Sequence, residues 1–183
     1  MDTIADALVA ALQRAGATHV FGVPGGDSSL DLIEAARRRA LPFVLARTEC
    51  AAVLMAAATT ETGAGIGVAL TTKGPGLASA VNGIAHADLD RSPVVVISDS
   101  FEPEHRGYVT HQWIDQRAIT APLVRAHCAV DSADPVSQIE AAIGAAIGAA
   151  RGPVHLELGG AIARRSAAGA GAGAGAEART AAP

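Results

Sequence analysis

Residues 93–98 contain an unbroken apolar run, Val-Val-Val-Ile, which constrains the fold more than any other feature of the sequence. A strand with apolar side chains on both faces has no side left for water, and such strands belong to parallel sheets covered by helices on both faces. Further strands are predicted at residues 19–23, 42–46, 66–71, 123–130 and 154–158, with helical periodicity between them. This alternation predicts an α/β fold: a doubly wound, six-stranded and mostly parallel sheet with right-handed crossovers.

Local signals predict where the helices begin and end. Gly16 stops the first helical pattern, and Asp27 or Ser28 can cap the second helix. An Ala-rich helix is predicted from about residue 48 to 62, and a short one near residues 112–119. Asp134 and Pro135 form a helix start of the cap-and-proline type, and that helix should end before residue 152.

Composition excludes several classes of protein. Half of the residues are hydrophobic and only 3% are aromatic, so the core must be built from Ala, Val, Ile and Leu. A net charge of −4 spread along the chain argues against nucleic acid as a partner. Every apolar stretch is shorter than the ~20 residues needed to span a membrane. Cys50 and Cys128 lie far apart, which favours reduced thiols in a cytoplasmic protein and supports no metal site.

The chain is predicted to contain one domain followed by a tail. Residues 1–163 carry the strand and helix patterns, whereas residues 164–183 are rich in Gly and Ala and lack bulky side chains. A segment that can bury so little is predicted to be a disordered tail or linker.

In an open α/β sheet, functional residues lie in the loops after the strands, here residues 24–28, 47–49, 72–76 and 99–112. Four motifs fall in or next to these loops: Phe-Gly-Val-Pro-Gly-Gly at 21–26, Arg-Thr-Glu-Cys-Ala-Ala at 47–52, Thr-Lys-Gly-Pro-Gly at 72–76 and Asn-Gly-Ile-Ala at 82–85. Together they resemble, in order and spacing across about residues 1–162, the N-terminal pyrimidine-binding domain of thiamine-diphosphate-dependent 2-oxo acid decarboxylases and acetolactate synthases. Each motif alone is weak, and the four in register are specific.

The resemblance assigns the main catalytic role to Glu49. The matching glutamate hydrogen-bonds a ring nitrogen of the cofactor's aminopyrimidine and favours the imino tautomer, which removes the proton from the thiazolium carbon. This chemistry needs a carboxyl group that can share a proton near neutral pH, and apolar surroundings favour the neutral form of such a group. The alternative is that Glu49 only stabilises the positive end of a helix dipole.

The resemblance also implies a set of residues that bind the cofactor. Besides Glu49, these are Pro24, Gly25, Gly26, Thr72, Gly74, Pro75, Gly76 and Asn82. The glycines would let backbone approach the cofactor or a neighbouring subunit closely, although an ordinary strand-to-helix turn explains them as well. Lys73 departs from the small residue usual in acetolactate synthases, which leaves the substrate open.

Asp27, His111 and Gln112 bear on which reaction is catalysed. Asp27 matches an acidic residue that pyruvate decarboxylases use for proton transfer, so it favours non-oxidative decarboxylation. His111 matches the first of two decarboxylase histidines, but Gln112 replaces the second and is similar to a glutamine near the cofactor in acetolactate synthases. We hypothesise that Asp27 and His111 relay a proton to the carbanion left after decarboxylation. The alternatives are that Asp27 only caps a helix and that His111 is a surface loop residue.

The family's diphosphate site contains a Gly-Asp-Gly motif that binds Mg²⁺, and this motif does not occur in the sequence. The resemblance therefore implies a partner subunit or domain that holds Mg²⁺ and the diphosphate, within a homo- or hetero-oligomer. Two-subunit sulfopyruvate and phosphonopyruvate decarboxylases provide one precedent, and a fragment of a longer chain is the other arrangement.

Two interpretations from other functional classes remain open. In the first, the chain is a non-catalytic α/β binding or regulatory domain that has the same fold but no catalytic activity. The presence of Glu49 argues against this interpretation. A flavodoxin-like nucleotide-binding protein would use residues 24–28 as a phosphate loop.

Overall fold

The structure is a computed structural model that describes residues 2–105, 108–131 and 133–168. Its strands are β1 (Val20–Val23), β2 (Phe43–Leu45), β3 (Gly67–Thr71), β4 (Val94–Ser100), β5 (His127–Ala129) and β6 (Val154–Gly159). Its helices are α1 (Ile4–Arg14), α2 (Ser28–Arg38), α3 (Glu49–Glu61), α4 (Pro75–Leu89), α5 (Gln116–Thr120), α6 (Pro135–Ile147) and α7 (Gly160–Ala163). A 3₁₀ turn spans Pro103–His105.

The six strands form one sheet in the order β2-β1-β3-β4-β6-β5, and every neighbouring pair is parallel. This confirms the predicted doubly wound α/β fold. From β1 the chain moves to one edge through α2, whereas from β3 it moves towards the other edge through α4. The strand order therefore reverses between β1 and β3, and the crevice beyond their carboxyl ends is where ligands bind in such folds.

Strand β4 contributes to the apolar layers on both faces of the sheet. Val95 and Ile97 pack with α1, α2 and α6, while Val94 and Val96 pack with α3 and α4. All four side chains are at most 1% exposed. The core is built mainly from aliphatic side chains; the largest fully buried ones are Ile4, Leu8, Leu12, Leu32, Ile66, Leu70, Leu77, Ile84, Ile97, Ile139, Leu156 and Leu158.

Most of the predicted helix starts are confirmed. Thr48 accepts a hydrogen bond from the Ala51 N–H, and Asp134 accepts one from the Ser137 N–H. The predicted cap of α2 is wrong: Asp27 occupies the N-cap position, but its side chain makes no capping hydrogen bond, and Ser28 is already the first helical residue. Instead, the carboxylate of Asp99 accepts from the Ser29 N–H at 2.7 Å. The cap comes from across the sheet, which local sequence cannot reveal.

The segment between β4 and β6 differs most from the predicted elements. Helix α5 is only five residues long, and β5 is three residues long instead of eight. The Leu123 N–H donates to the Thr120 carbonyl at 2.8 Å, which keeps the chain in a turn where a strand was predicted. Leu123 and Val124 then pack on the core layer of α3 and α4.

The first residues of the predicted tail contact the start of α1. The Ile4 N–H donates to the Arg165 carbonyl, and the Ala167 N–H donates to the Asp2 carbonyl, each at 2.9 Å. The rest of the predicted tail, residues 169–183, lies outside the described residues. In the described part of the chain, no helix has the length and apolar character to cross a membrane.

Candidate cofactor and substrate site

Glu49 is the first residue of α3 and lies at the carboxyl end of β2, beside the strand-order reversal. Thr48 caps the helix, which fixes the direction in which Glu49 leaves the backbone. The side chain is half-buried and lies next to the turn after β3: a Cβ built on Gly76 would approach Glu49 Oε1 to 3.4 Å. The acid is therefore placed against the crevice rather than out in solvent.

The turn after β3 brings glycine backbone up to this carboxylate. Gly74 has φ +62° and ψ −114°, a conformation that side chains strongly disfavour, and a Cβ there would collide with the carbonyl of Gln112. The Gly74 N–H donates to Gln116 Oε1 at 3.1 Å. Pro75 then begins α4 and is exposed. The turn is thus held from the α5 side, while its proline is exposed.

Asp99, at the end of β4, links the loops after β1, β3 and β4. Its Oδ1 accepts from the hydroxyls of Ser28 and Ser29, and its Oδ2 accepts from Thr72 Oγ1 at 3.4 Å. Burial raises the pKa of Asp99, although hydrogen bonds from Ser28 and Ser29 and the charge of Lys73 act in the opposite direction. Sequence analysis missed this residue; an acid directly after an apolar strand is the signal that could have revealed it.

The loop after β1 carries three predicted cofactor-binding residues. Pro24 and Gly25 are half-buried, and Gly26 is exposed with open space where a Cβ would be. The Gly25 N–H donates to Ser29 Oγ at 3.3 Å, so the loop folds back on the start of α2. Backbone at Gly26 is accessible to a ligand.

Asp27 is partly exposed and pairs with cations. Its carboxylate lies 3.3 Å from Arg164 Nη1 and 3.8 Å from Lys73 Nζ. His111 is exposed, and within the described ranges no hydrogen bond or ion pair joins it to Asp27. The structure therefore does not bring these two predicted relay residues into direct contact.

Gln112 and Asn82 occupy different sides of the turn after β3. Gln112 is half-buried with φ +61°, and its carbonyl faces Gly74. Asn82 is exposed on α4, and its Nδ2 lies 3.6 Å from Cys50 Sγ on α3. Gln112 is thus placed at the crevice, whereas Asn82 links the two helices beside it.

A buried polar network lies beneath α5 and was not predicted. The hydroxyl of Thr120 lies 3.1 Å from the Gln116 carbonyl and 3.0 Å from His155 Nδ1. On the other side of the ring, His155 Nε2 is hydrogen-bonded with Ser98 Oγ at 2.8 Å. Burial lowers the pKa of His155 to about 3, so this ring is neutral. Polar residues at alternate positions of β6 are the sequence signal that could have revealed the network.

Glu157 completes this network on the same face of β6. It accepts from His127 Nε2 at 2.8 Å and from Ser100 Oγ at 2.7 Å. Burial alone would raise the pKa of Glu157, but the hydrogen bonds outweigh it and the pKa falls to about 2. The ligand atoms of His127, His155 and Glu157 lie within 4.8 Å of one another, a possible metal-binding set whose members are already hydrogen-bonded within the protein.

This network predicts a loss of stability in acid. Folding lowers the pKa of His155 from 6.5 and that of Glu157 from 4.5, so the unfolded chain binds more protons. The free energy of unfolding should decrease below pH 6.5 because of His155, at up to about 1.4 kcal/mol per pH unit, and further below pH 4.5 because of Glu157. Urea denaturation between pH 7.5 and pH 3 measures the slope in both ranges.

Two variants test whether His155 causes this pH dependence of stability. His155→Leu should flatten it between pH 6.5 and 5, whereas His111→Asn, which changes an exposed histidine outside this network, should leave the slope steep. An equally steep slope in His155→Leu would rule out His155 as the cause.

Comparison with known proteins points to one family. A family model described as "Thiamine pyrophosphate enzyme, N-terminal TPP binding domain" matches residues 2–119. The acetolactate synthase isozyme 3 large subunit of Escherichia coli K12 is 35% identical over 156 residues, which cover 84% of this chain and 27% of the relative. The acetolactate synthase large subunit of Buchnera aphidicola subsp. Schizaphis graminum is 37% identical over 122 residues, which cover 66% and 21%.

A third relative shows the same pattern. The probable acetolactate synthase large subunit of Methanocaldococcus jannaschii is 30% identical over 155 residues, which cover 84% of this chain and 26% of the relative. The chain thus spans only about a quarter of the length of the curated relatives that it matches.

Proposed function

Because the chain belongs to the thiamine pyrophosphate enzyme family and matches its N-terminal TPP-binding domain, we propose that it supplies the aminopyrimidine-binding half of an active site for a 2-oxo acid. The position of Glu49 carries this proposal. A half-buried carboxyl group at the start of α3, against the Gly74–Pro75–Gly76 turn, is where the crevice of a doubly wound sheet would receive a ligand.

The residues around Glu49 fit the aminopyrimidine. A Cβ on Gly76 would collide with the Thr72 methyl group, so glycine lets the turn lie close to Thr72 and Glu49, and backbone at Gly26 is accessible. Glu49 would hold a proton at a ring nitrogen, while Thr72, Gly74 and the residues 24–26 would orient the ring and exclude water. When bound, thiamine diphosphate supplies the carbon nucleophile that attacks the 2-oxo group.

We propose that a partner subunit or domain holds the diphosphate and Mg²⁺. The sequence has no Gly-Asp-Gly motif, and the relatives are about four times as long as the matching part of this chain. Mg²⁺ takes oxygen ligands from carboxylates and phosphates, and we assign those ligands to the partner. The complete active site would then form between two polypeptides or domains.

Carboligation is the reaction that the relatives favour. The three relatives named above are acetolactate synthases, and Gln112 agrees with them. Simple decarboxylation is the second candidate, since Asp27 and His111 match the decarboxylase pattern. Asp27 pairs with Lys73 and Arg164 instead of His111, which favours carboligation over the decarboxylase relay.

Calorimetric titration with thiamine diphosphate and Mg²⁺ tests whether the site is divided between this chain and a partner. We expect the full chain, mixed with a separately produced diphosphate-binding polypeptide, to bind at least about 10-fold more tightly than either component alone, because each holds only part of the ligand. Equal affinity in the chain alone would contradict the proposed division. The absence of binding in the mixture would favour a non-catalytic domain.

Product analysis with the same assembly distinguishes the two reactions. With a 2-oxo acid that the assembly turns over, we expect the carboligation product to predominate, and His111→Ala should change the rate less than about 3-fold, since His111 is exposed and unpaired with Asp27. The simple aldehyde as the main product, with a loss of about 100-fold or more in His111→Ala, would instead support the decarboxylase relay.

A further inference from the structure

Lys73 is the only lysine in a chain that has 14 lysine and arginine residues. It lies in the turn after β3, directly before Gly74, yet its side chain is only 13% exposed. Burying an ammonium group is unfavourable unless it gains a partner.

The ammonium group lies between Asp27, a predicted catalytic residue, and the ring of Phe101. Lys73 Nζ is 3.8 Å from the Asp27 carboxylate and 4.4 Å from the centre of the Phe101 ring. Its side chain also lines a cavity of about 390 Å³ together with Gln112 and Trp113. Lys73 thus reaches from the loop after β1 to the segment after β4. It lies at the carboxyl ends of the strands, as Glu49 does.

The contacts of Lys73 leave its hydrogen-bonding capacity unused. An ammonium group has three N–H donors, and in the part of the chain that the structure describes Nζ makes no hydrogen bond. The Asp27 carboxylate is beyond hydrogen-bonding distance and also faces Arg164, while an aromatic face attracts the charge without replacing an anion. The site is therefore suited to an additional oxyanion.

We infer that Lys73 binds a second anionic group of the substrate, so that the enzyme takes 2-oxo acids carrying a further carboxylate or similarly charged group at the far end. This inference rests on the proposed function, since it names the substrate class of the same site. Specificity would come from leaving the Lys73 ammonium unsatisfied when the substrate tail is neutral.

Matched pairs of substrates test the inference. They are 2-oxoglutarate against 2-oxopentanoate, and oxaloacetate against 2-oxobutyrate, which have equal chain lengths and differ in the terminal charge. In the assembled enzyme, Lys73→Met should raise KM for the dianions about 10-fold or more while changing kcat/KM for the monoanions less than about 3-fold. Lys73→Arg, which keeps the charge, should retain most of the discrimination.

A binding measurement separates this inference from the proposed function. Since the chain has a single lysine, labelling with lysine that carries ¹³C only at Cε gives one side-chain NMR signal, which should shift saturably with 2-oxoglutarate and not with 2-oxopentanoate. Such a shift in an assembly that turns over no 2-oxo acid would support the anion site and contradict the proposed enzymatic function. Equal responses to both acids, or equal losses for both in a Lys73→Met variant that folds normally in urea denaturation, would overturn the inference.

Discussion

Glu49→Gln is expected to lower kcat of the assembled enzyme by about 100- to 10,000-fold, the range in which a positioned acid or base contributes to catalysis. Glutamine keeps the size and some hydrogen bonding of glutamate at the start of α3, but it cannot share a proton with a ring nitrogen. The variant should also slow the exchange of the thiazolium proton with D₂O, measured by NMR on the bound cofactor. Cofactor affinity should change much less than kcat.

Glu61→Gln is the matched control for this prediction. Glu61 is the last residue of the same helix and is exposed, so its replacement makes the same chemical change far from the crevice. It should leave kcat and proton exchange within about 2-fold of the unmodified enzyme, as exposed substitutions usually have small effects. A Glu49→Gln enzyme that exchanges the proton at the normal rate would show that Glu49 only stabilises the helix start.

Features encoded by neighbouring residues could be predicted from the sequence. The apolar run of β4 predicted a strand buried on both faces, and Thr48 and Asp134 each cap the helix that directly follows them. In each case the deciding interaction spans only a few residues. The fold class followed from the alternation of such elements.

Features that depend on strand order could not be predicted. Strand β6 lies between β4 and β5, although it follows both in sequence. Only this order brings His155 to Ser98 and Glu157 to His127. The cap of α2 by Asp99 has the same origin, because it joins residues about 70 positions apart.

At the candidate site, too, the local features could be predicted and the long-range contacts could not. The motifs located Glu49 and the Gly74–Pro75–Gly76 turn, since each lies directly after a predicted strand. The partners of Asp27 could not be inferred, because Lys73 and Arg164 reach it from two other loops. Long charged side chains can pair with several neighbours, so their contacts are decided by the packed structure rather than by the local sequence.

Gly74→Ala is expected to lower the free energy of unfolding by about 3 kcal/mol or more, the combined effect of backbone strain and a steric collision. At φ +62° and ψ −114° an alanine is strained, and its Cβ would overlap the Gln112 carbonyl, which is backbone and cannot rotate away. Relief would require the segment at residue 112 to move, which would also disturb the Gln116 hydrogen bond to Gly74. Urea denaturation followed by circular dichroism measures the loss.

Gly144→Ala is the matched control and should have the opposite sign. Gly144 lies within α6, is exposed and has open space where a Cβ would be, so alanine should stabilise the fold by about 0.5–1 kcal/mol through its higher helix propensity. If Gly74→Ala cost no more than an ordinary surface substitution, the loop after β3 would not be pressed against residue 112. The crevice beside Glu49 would then lack the wall that holds its glycine turn in place.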